Sequence, residues 1–195
     1  GVDGMPAKFT LNNVVANPDF DRIRTSNYSR YYYQPFTNTL KSFGHQGVFA
    51  LYQEGMKEGV FQPQFHGREH VNINRWLDAL DSGDKRFLDA FKENMFTVAV
   101  NGSTSGRRDY LDAFGRAYQK EVESEGSIIE SGLKLFEEIW GFKSKSFIAP
   151  CYTWSPEIEK YLREGGVKYI QGTHVQRIPE EGLELRIKKK YHWQG

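Results

Sequence analysis

The chain has 195 residues, 38% of them hydrophobic and 26% charged, which suits one domain spanning 1–195 with a sizeable core. No run approaches the roughly 18 apolar residues of a membrane span, and Gly1-Val2-Asp3-Gly4 shows no signal-peptide pattern. With 26 basic against 25 acidic residues the formal charge is +1, so there is no basic excess to neutralise phosphates; neither nucleic acid nor membrane is an expected partner.

The first predicted element is a β-rich stretch from Phe9 to Val15, closed by the turn signal Asn17-Pro18-Asp19. Tyr28 to Phe36 reads as a polar, aromatic loop. Gly47 to Gly59 reads as a helix with Val48, Leu51 and Tyr52 on one face. A short strand, Val60 to Phe65, runs straight into His66-Gly67-Arg68-Glu69-His70. Helices follow over Asn74 to Leu80, with Asn72 or Asn74 as N-cap, and over Asp84 to Asn94. The apolar run Phe96 to Val100 predicts a strand buried on both faces. A Gly/Ser/Thr loop then leads to a helix over Arg108 to Glu123, and a second long helix covers Ser127 to Trp140 with Gly141 past its end. Ser146 to Ala149 is a strand and Pro150 to Trp154 a loop. Ser155-Pro156-Glu157 opens a helix that Gly165-Gly166 stops, and Val167 to Ile170 is the next strand. The basic run Arg186-Ile187-Lys188-Lys189-Lys190 follows Glu180-Glu181 and reads as a solvated strand or tail. Strands alternating with helices predict βαβ units and a mainly parallel sheet, open or closed into a barrel.

His66 and His70 carry the clearest chemistry. Residues four apart in a helical turn project the same way, so two imidazoles can reach one Zn²⁺ or similar ion. Their place after a strand adds weight, because ligands in parallel α/β folds gather beyond the C-terminal strand ends. The plain alternative is two half-buried histidines satisfied by backbone or carboxylate partners. Gly67 permits close backbone approach, whereas Glu69 reads as a surface carboxylate pointing away from the histidine face. Tyr152 and Trp154, after a strand, either line a sugar-binding cleft or pack beneath their loop. The single Cys151 has no signature of an activating base and reads as a small buried residue.

Gln64-Phe65-His66-Gly67-Arg68-Glu69-His70 resembles the histidine motif of the polysaccharide deacetylase (NodB-like) superfamily. The run Ser146-Phe147-Ile148-Ala149-Pro150-Cys151-Tyr152 with Ser155-Pro156 and Lys160 to Tyr169 is similar to that family's later strand–loop–helix–strand, and Phe9 to Val15 to its second strand. The resemblance implies a distorted seven-stranded (β/α) barrel. It also implies a divalent metal, often zinc, held by an aspartate and two histidines, and a carbohydrate substrate that loses acetyl groups by hydrolysis. A second aspartate would act as base and a distant histidine as acid. His66 and His70 match the family's metal histidines.

The departures are also specific. The family's aspartate pair lies on a strand upstream of this segment, so the chain reads as a barrel lacking its first strand, with sheet edges open to another copy. Asp19 is the nearest replacement for the third ligand, although Asn17-Pro18-Asp19-Phe20-Asp21 reads more simply as a turn and helix start. Ile148 stands where the family carries an arginine. His174 and His192 are the candidates for the acid, with loop or packing roles as the alternative. A non-catalytic barrel binding carbohydrate or a partner is the competing expectation.

Overall fold

A computed structural model describes residues 4–98, 110–115, 121–180 and 186–191. The elements run β1 (Phe9–Asn13), β2 (Ala16–Pro18), α1 (Phe20–Thr25), β3 (Tyr33–Pro35), α2 (Phe36–Ser42), α3 (Gly47–Lys57) and β4 (Phe61–Phe65). They continue with α4 (Ile73–Asp81), α5 (Lys85–Lys92), α6 (Glu121–Trp140), β5 (Ser146–Ile148), α7 (Glu159–Glu164), β6 (Tyr169–Gln171), β7 (Val175–Glu180) and β8 (Arg186–Tyr191). Short 3₁₀ turns at Pro150–Tyr152 and Pro156–Ile158 link β5 to α7.

The chain folds as a mixed α/β structure around a four-stranded parallel sheet in the order β1-β4-β5-β6. Two antiparallel ribbons, β2-β3 and β7-β8, stand outside it. Among the described residues Phe96 to Val98 form no strand, contrary to the double-sided strand expected over Phe96–Val100; Ala99 and Val100 lie outside the described residues. The chain leaves α5 with Asn94 at φ 55°, and Phe96 and Val98 pack on the Trp76 cluster instead of entering the sheet. The helix expected over Arg108–Glu123 is also corrected: Tyr110 to Gly115 is a turn with Tyr110 at φ 53°, and helix begins in the described residues at Glu121.

Burial explains the layers. On α6, Ile129, Leu133, Phe136 and Trp140 form an apolar stripe at helical spacing that packs with Phe65 and Phe147 of the sheet. A second cluster unites Ile23 of α1 with Trp76 and Leu80 of α4 and Phe87 and Phe91 of α5. Asp19, Asn72 and Asp84 cap α1, α4 and α5 by accepting from the Arg22, Arg75 and Arg86 N–H groups.

β4 occupies the sheet interior although Pro63 brings it no N–H. The buried Gln64 side chain compensates. Its Oε1 accepts from Ser146 N at 2.7 Å and Ser146 Oγ at 2.8 Å, while Ser144 Oγ accepts from Phe65 N at 2.9 Å. Side chains thus complete a β4–β5 junction whose ladder has one paired position, Phe65 with Phe147.

Gly132 lets α6 approach β4 closely. A Cβ there would sit 2.8 Å from Phe65 Cζ and 2.9 Å from Arg68 Cβ. Gly132→Ala is therefore expected to lower stability by about 1–3 kcal/mol through overpacking, although alanine is the better helix former by about 1 kcal/mol. Thermal unfolding checks the sign; a raised midpoint would mean that α6 slides away without cost.

Candidate functional site

The site is built where β4 ends. His66 N–H donates to Asn13 O at 2.9 Å, and the adjoining strip continues the contact, with Val15 N and Ala16 N donating to Gly67 O and Arg68 O at 3.3 and 2.7 Å. Gly67 turns the chain at φ 108°, a conformation disfavoured for any residue with a Cβ. No helix runs from His66 to His70; α4 starts only at Ile73. The loop nevertheless brings the two imidazoles together, with ring centroids 5.1 Å apart and planes at 68°.

His66 is held in one tautomer. Its Nδ1 lies 2.8 Å from Ile148 O, and a carbonyl can only accept, so Nδ1 carries the proton and Nε2 keeps its lone pair. Burial, which favours the neutral ring, lowers the imidazole pKa below its ordinary value, and the hydrogen bond to the Ile148 carbonyl opposes it by favouring the protonated ring. A histidine whose far nitrogen is anchored to a backbone carbonyl is the usual arrangement for a metal ligand.

Beneath the pair lies a buried charged group. Arg68 meets Glu69 through two contacts, Nε to Oε2 at 2.7 Å and Nη2 to Oε1 at 3.0 Å, and Arg68 Nη1 donates to Ser131 Oγ of α6 at 2.8 Å. The Arg68 guanidinium also lies 4.1 Å from the Tyr33 ring centroid. Glu69 is 2% exposed, which corrects the expectation of a surface carboxylate. Burial pushes its carboxyl above the ordinary range, and Arg68 offsets part of that rise. The same burial, followed by the Glu69 charge, holds the Tyr31 phenol well above its usual value.

A third segment closes over this end. Asn72 N–H donates to Tyr110 O at 2.7 Å, and its side-chain amide donates to Asp112 O at 3.2 Å and to Gly115 O. Asp112 is fully buried with its Oδ2 3.7 Å from Arg75 Nη1. Cys151, expected as a small buried residue, is half-buried at φ 57°, its thiol donating to Leu111 O at 3.2 Å. Sequence reasoning missed Asp112 and Arg75, which carry no motif and meet only through the fold.

The remaining candidates fall elsewhere. Asp19 caps α1, and among the described residues no group of three or more His, Cys, Asp or Glu is placed to hold a metal. Trp154, 5% exposed, belongs to the main core and donates to Glu159 Oε1 at 3.3 Å, whereas Tyr152 is 40% exposed at φ 56°. His174 is exposed just before β7, and His192 lies outside the described residues. Comparison with protein-family models, curated proteins and solved structures gives no match.

Proposed function

We propose that this chain carries the metal-binding part of a carbohydrate deacetylase, a hydrolase removing acetyl groups from a saccharide, within a (β/α) barrel of the polysaccharide deacetylase type. The observation that carries it is the His66–His70 pair beyond the end of β4, with His66 neutral and its Nε2 lone pair kept by the Ile148 carbonyl. Two imidazole nitrogens fit two positions of a tetrahedral zinc site. Among the described residues no third His, Cys, Asp or Glu joins the pair, and the resemblance places the third ligand, an aspartate, on a strand upstream of this segment. A divalent ion held there would supply polarisation of an acetyl carbonyl and acidification of a bound water. This chain's own residues orient that site: Gly67 turns the loop, and Arg68 with Glu69 pins it to Ser131 of α6.

The competing function, a non-catalytic barrel binding carbohydrate or a partner, is favoured by Ile148 at the position of the family's arginine. The outer strands β1 and β6 bear exposed Phe9 and Tyr169, which supports pairing with a further strand or a second copy.

Metal content separates the two. After dialysis against zinc-containing and then metal-free buffer, the parent chain is expected to retain about one equivalent, and His66→Ala/His70→Ala none. Acetate release from acetylated oligosaccharides is the assay that follows. A parent without metal leaves the histidines structural or the site short of its third donor, and the same assay on a chain that carries the expected aspartate strand then decides: no metal there sinks the hydrolase and leaves the binding barrel.

A further inference from the structure

The β7-β8 ribbon gathers cations that the net charge of +1 averages away. Its register pairs Arg177 with Lys189, Ile178 with Lys188 and Gln176 with Lys190. Strand alternation therefore puts Arg177 and Lys189 on one face and Lys188 and Lys190 on the other. All four are exposed. The only acidic residue in the two strands is Glu180, paired in register with Arg186, which leaves those four cations unbalanced. Like charges directly opposite destabilise a strand pair, so Arg177 and Lys189 weaken the ribbon they stand on. Lysines on an outer strand also block unwanted pairing, and β8 is such a strand among the described residues. That role does not extend to Arg177. It lies on β7, flanked by β8 on one side and bridged by Thr153 on the other, with Trp154 N–H donating to Arg177 O at 3.0 Å.

We propose that the ribbon is a binding surface for the phosphate backbones of duplex DNA. Cations on both faces call for anions on both sides. A flat anionic bilayer or a single extended strand meets one face only, and no large apolar side chain is exposed on the ribbon's described residues to enter a bilayer. The B-DNA major groove is about 12 Å wide with a phosphate row along each wall, and a β-ribbon carried edge-on is about 10 Å thick with its side chains. Arg177 and Lys189 then reach one row and Lys188 and Lys190 the other, with the outer edge of β8 toward the groove floor. Three of the four are lysines, point charges that neutralise phosphates without reading base edges, so binding is independent of sequence. Duplex RNA, whose major groove is deep and narrow, does not admit the ribbon.

Fluorescence anisotropy of the full chain with a short labelled DNA duplex, read across a salt series, tests this. Four neutralised phosphates predict a slope of log K against log salt of about −3.6, a loss of about 150-fold between about 50 and 200 mM salt. Lys188→Ala/Lys190→Ala should make the slope shallower by about two, whereas Lys41→Ala/Lys57→Ala, which removes two exposed lysines elsewhere, should leave it unchanged. Lys189→Glu sets a carboxylate opposite Arg177, so it should raise the thermal midpoint while weakening DNA binding about tenfold or more at low salt. Opposite signs in one variant separate binding from folding. Undetectable duplex binding at low salt, duplex RNA or the DNA single strand bound as tightly as the duplex, or stronger retention on phosphatidylserine vesicles overturns the proposal. So does an unchanged slope in Lys188→Ala/Lys190→Ala, or a Lys189→Glu protein that binds like the parent or melts below it.

Discussion

Glu69→Ala is expected to lower stability by about 3–5 kcal/mol, a large part of the 5–15 kcal/mol typical of a domain. Arg68 and Glu69 are both buried and joined by two short contacts, so truncating the carboxylate strands a guanidinium away from water. Ser131 and the Tyr33 ring remain beside Arg68, but neither carries a counter-charge. The pair itself contributes less than its loss would suggest, because two charges had to be desolvated to form it. Arg68→Met/Glu69→Leu should therefore recover most of the loss or exceed the parent. Urea midpoints at constant slope measure all three proteins. If Glu69→Ala costs under about 1 kcal/mol, water reaches Arg68 and the pair is not the clamp described.

The parallel sheet and its helices were legible because strand–helix alternation, proline and glycine punctuation and cap residues all agree along this chain. Asn72, Asp84 and Gly141 take the cap and terminal positions that such rules assign. The histidine pair was legible in position but not in geometry. A helical spacing argument brings His66 and His70 together, yet the loop does so through Gly67 at φ 108°. That difference misplaces Glu69, since facing rules for helices do not hold in a loop turned by a left-handed glycine. The run at Phe96 misled for another reason: continuous apolar residues state that burial occurs, not whether a sheet or a helix pair provides it. Asp112 and Arg75 come from segments far apart in sequence, and no local pattern announces their meeting.

Phe65→Ala is the substitution expected to link core and site most directly, with a loss of about 3–5 kcal/mol. Phe65 is fully buried, its ring 5.8 Å from that of Phe147 and 6.3 Å from that of Phe136. Removing the ring opens a cavity between β4 and α6, and Gly132, pressed against the same ring, gives α6 no side chain to refill it. His66 is the next residue, so the strand end that aims its imidazole loses support from below. Two other anchors act on that end, the Asn13 carbonyl on His66 N–H and the Ile148 carbonyl on Nδ1. Urea unfolding and zinc affinity on the same variant distinguish the contributions. Lost stability with parent-like zinc affinity in the folded fraction would place the histidine geometry in the hydrogen bonds. A joint loss would place it in the packing of Phe65, because those bonds are intact in sequence and only the ring beneath them is gone.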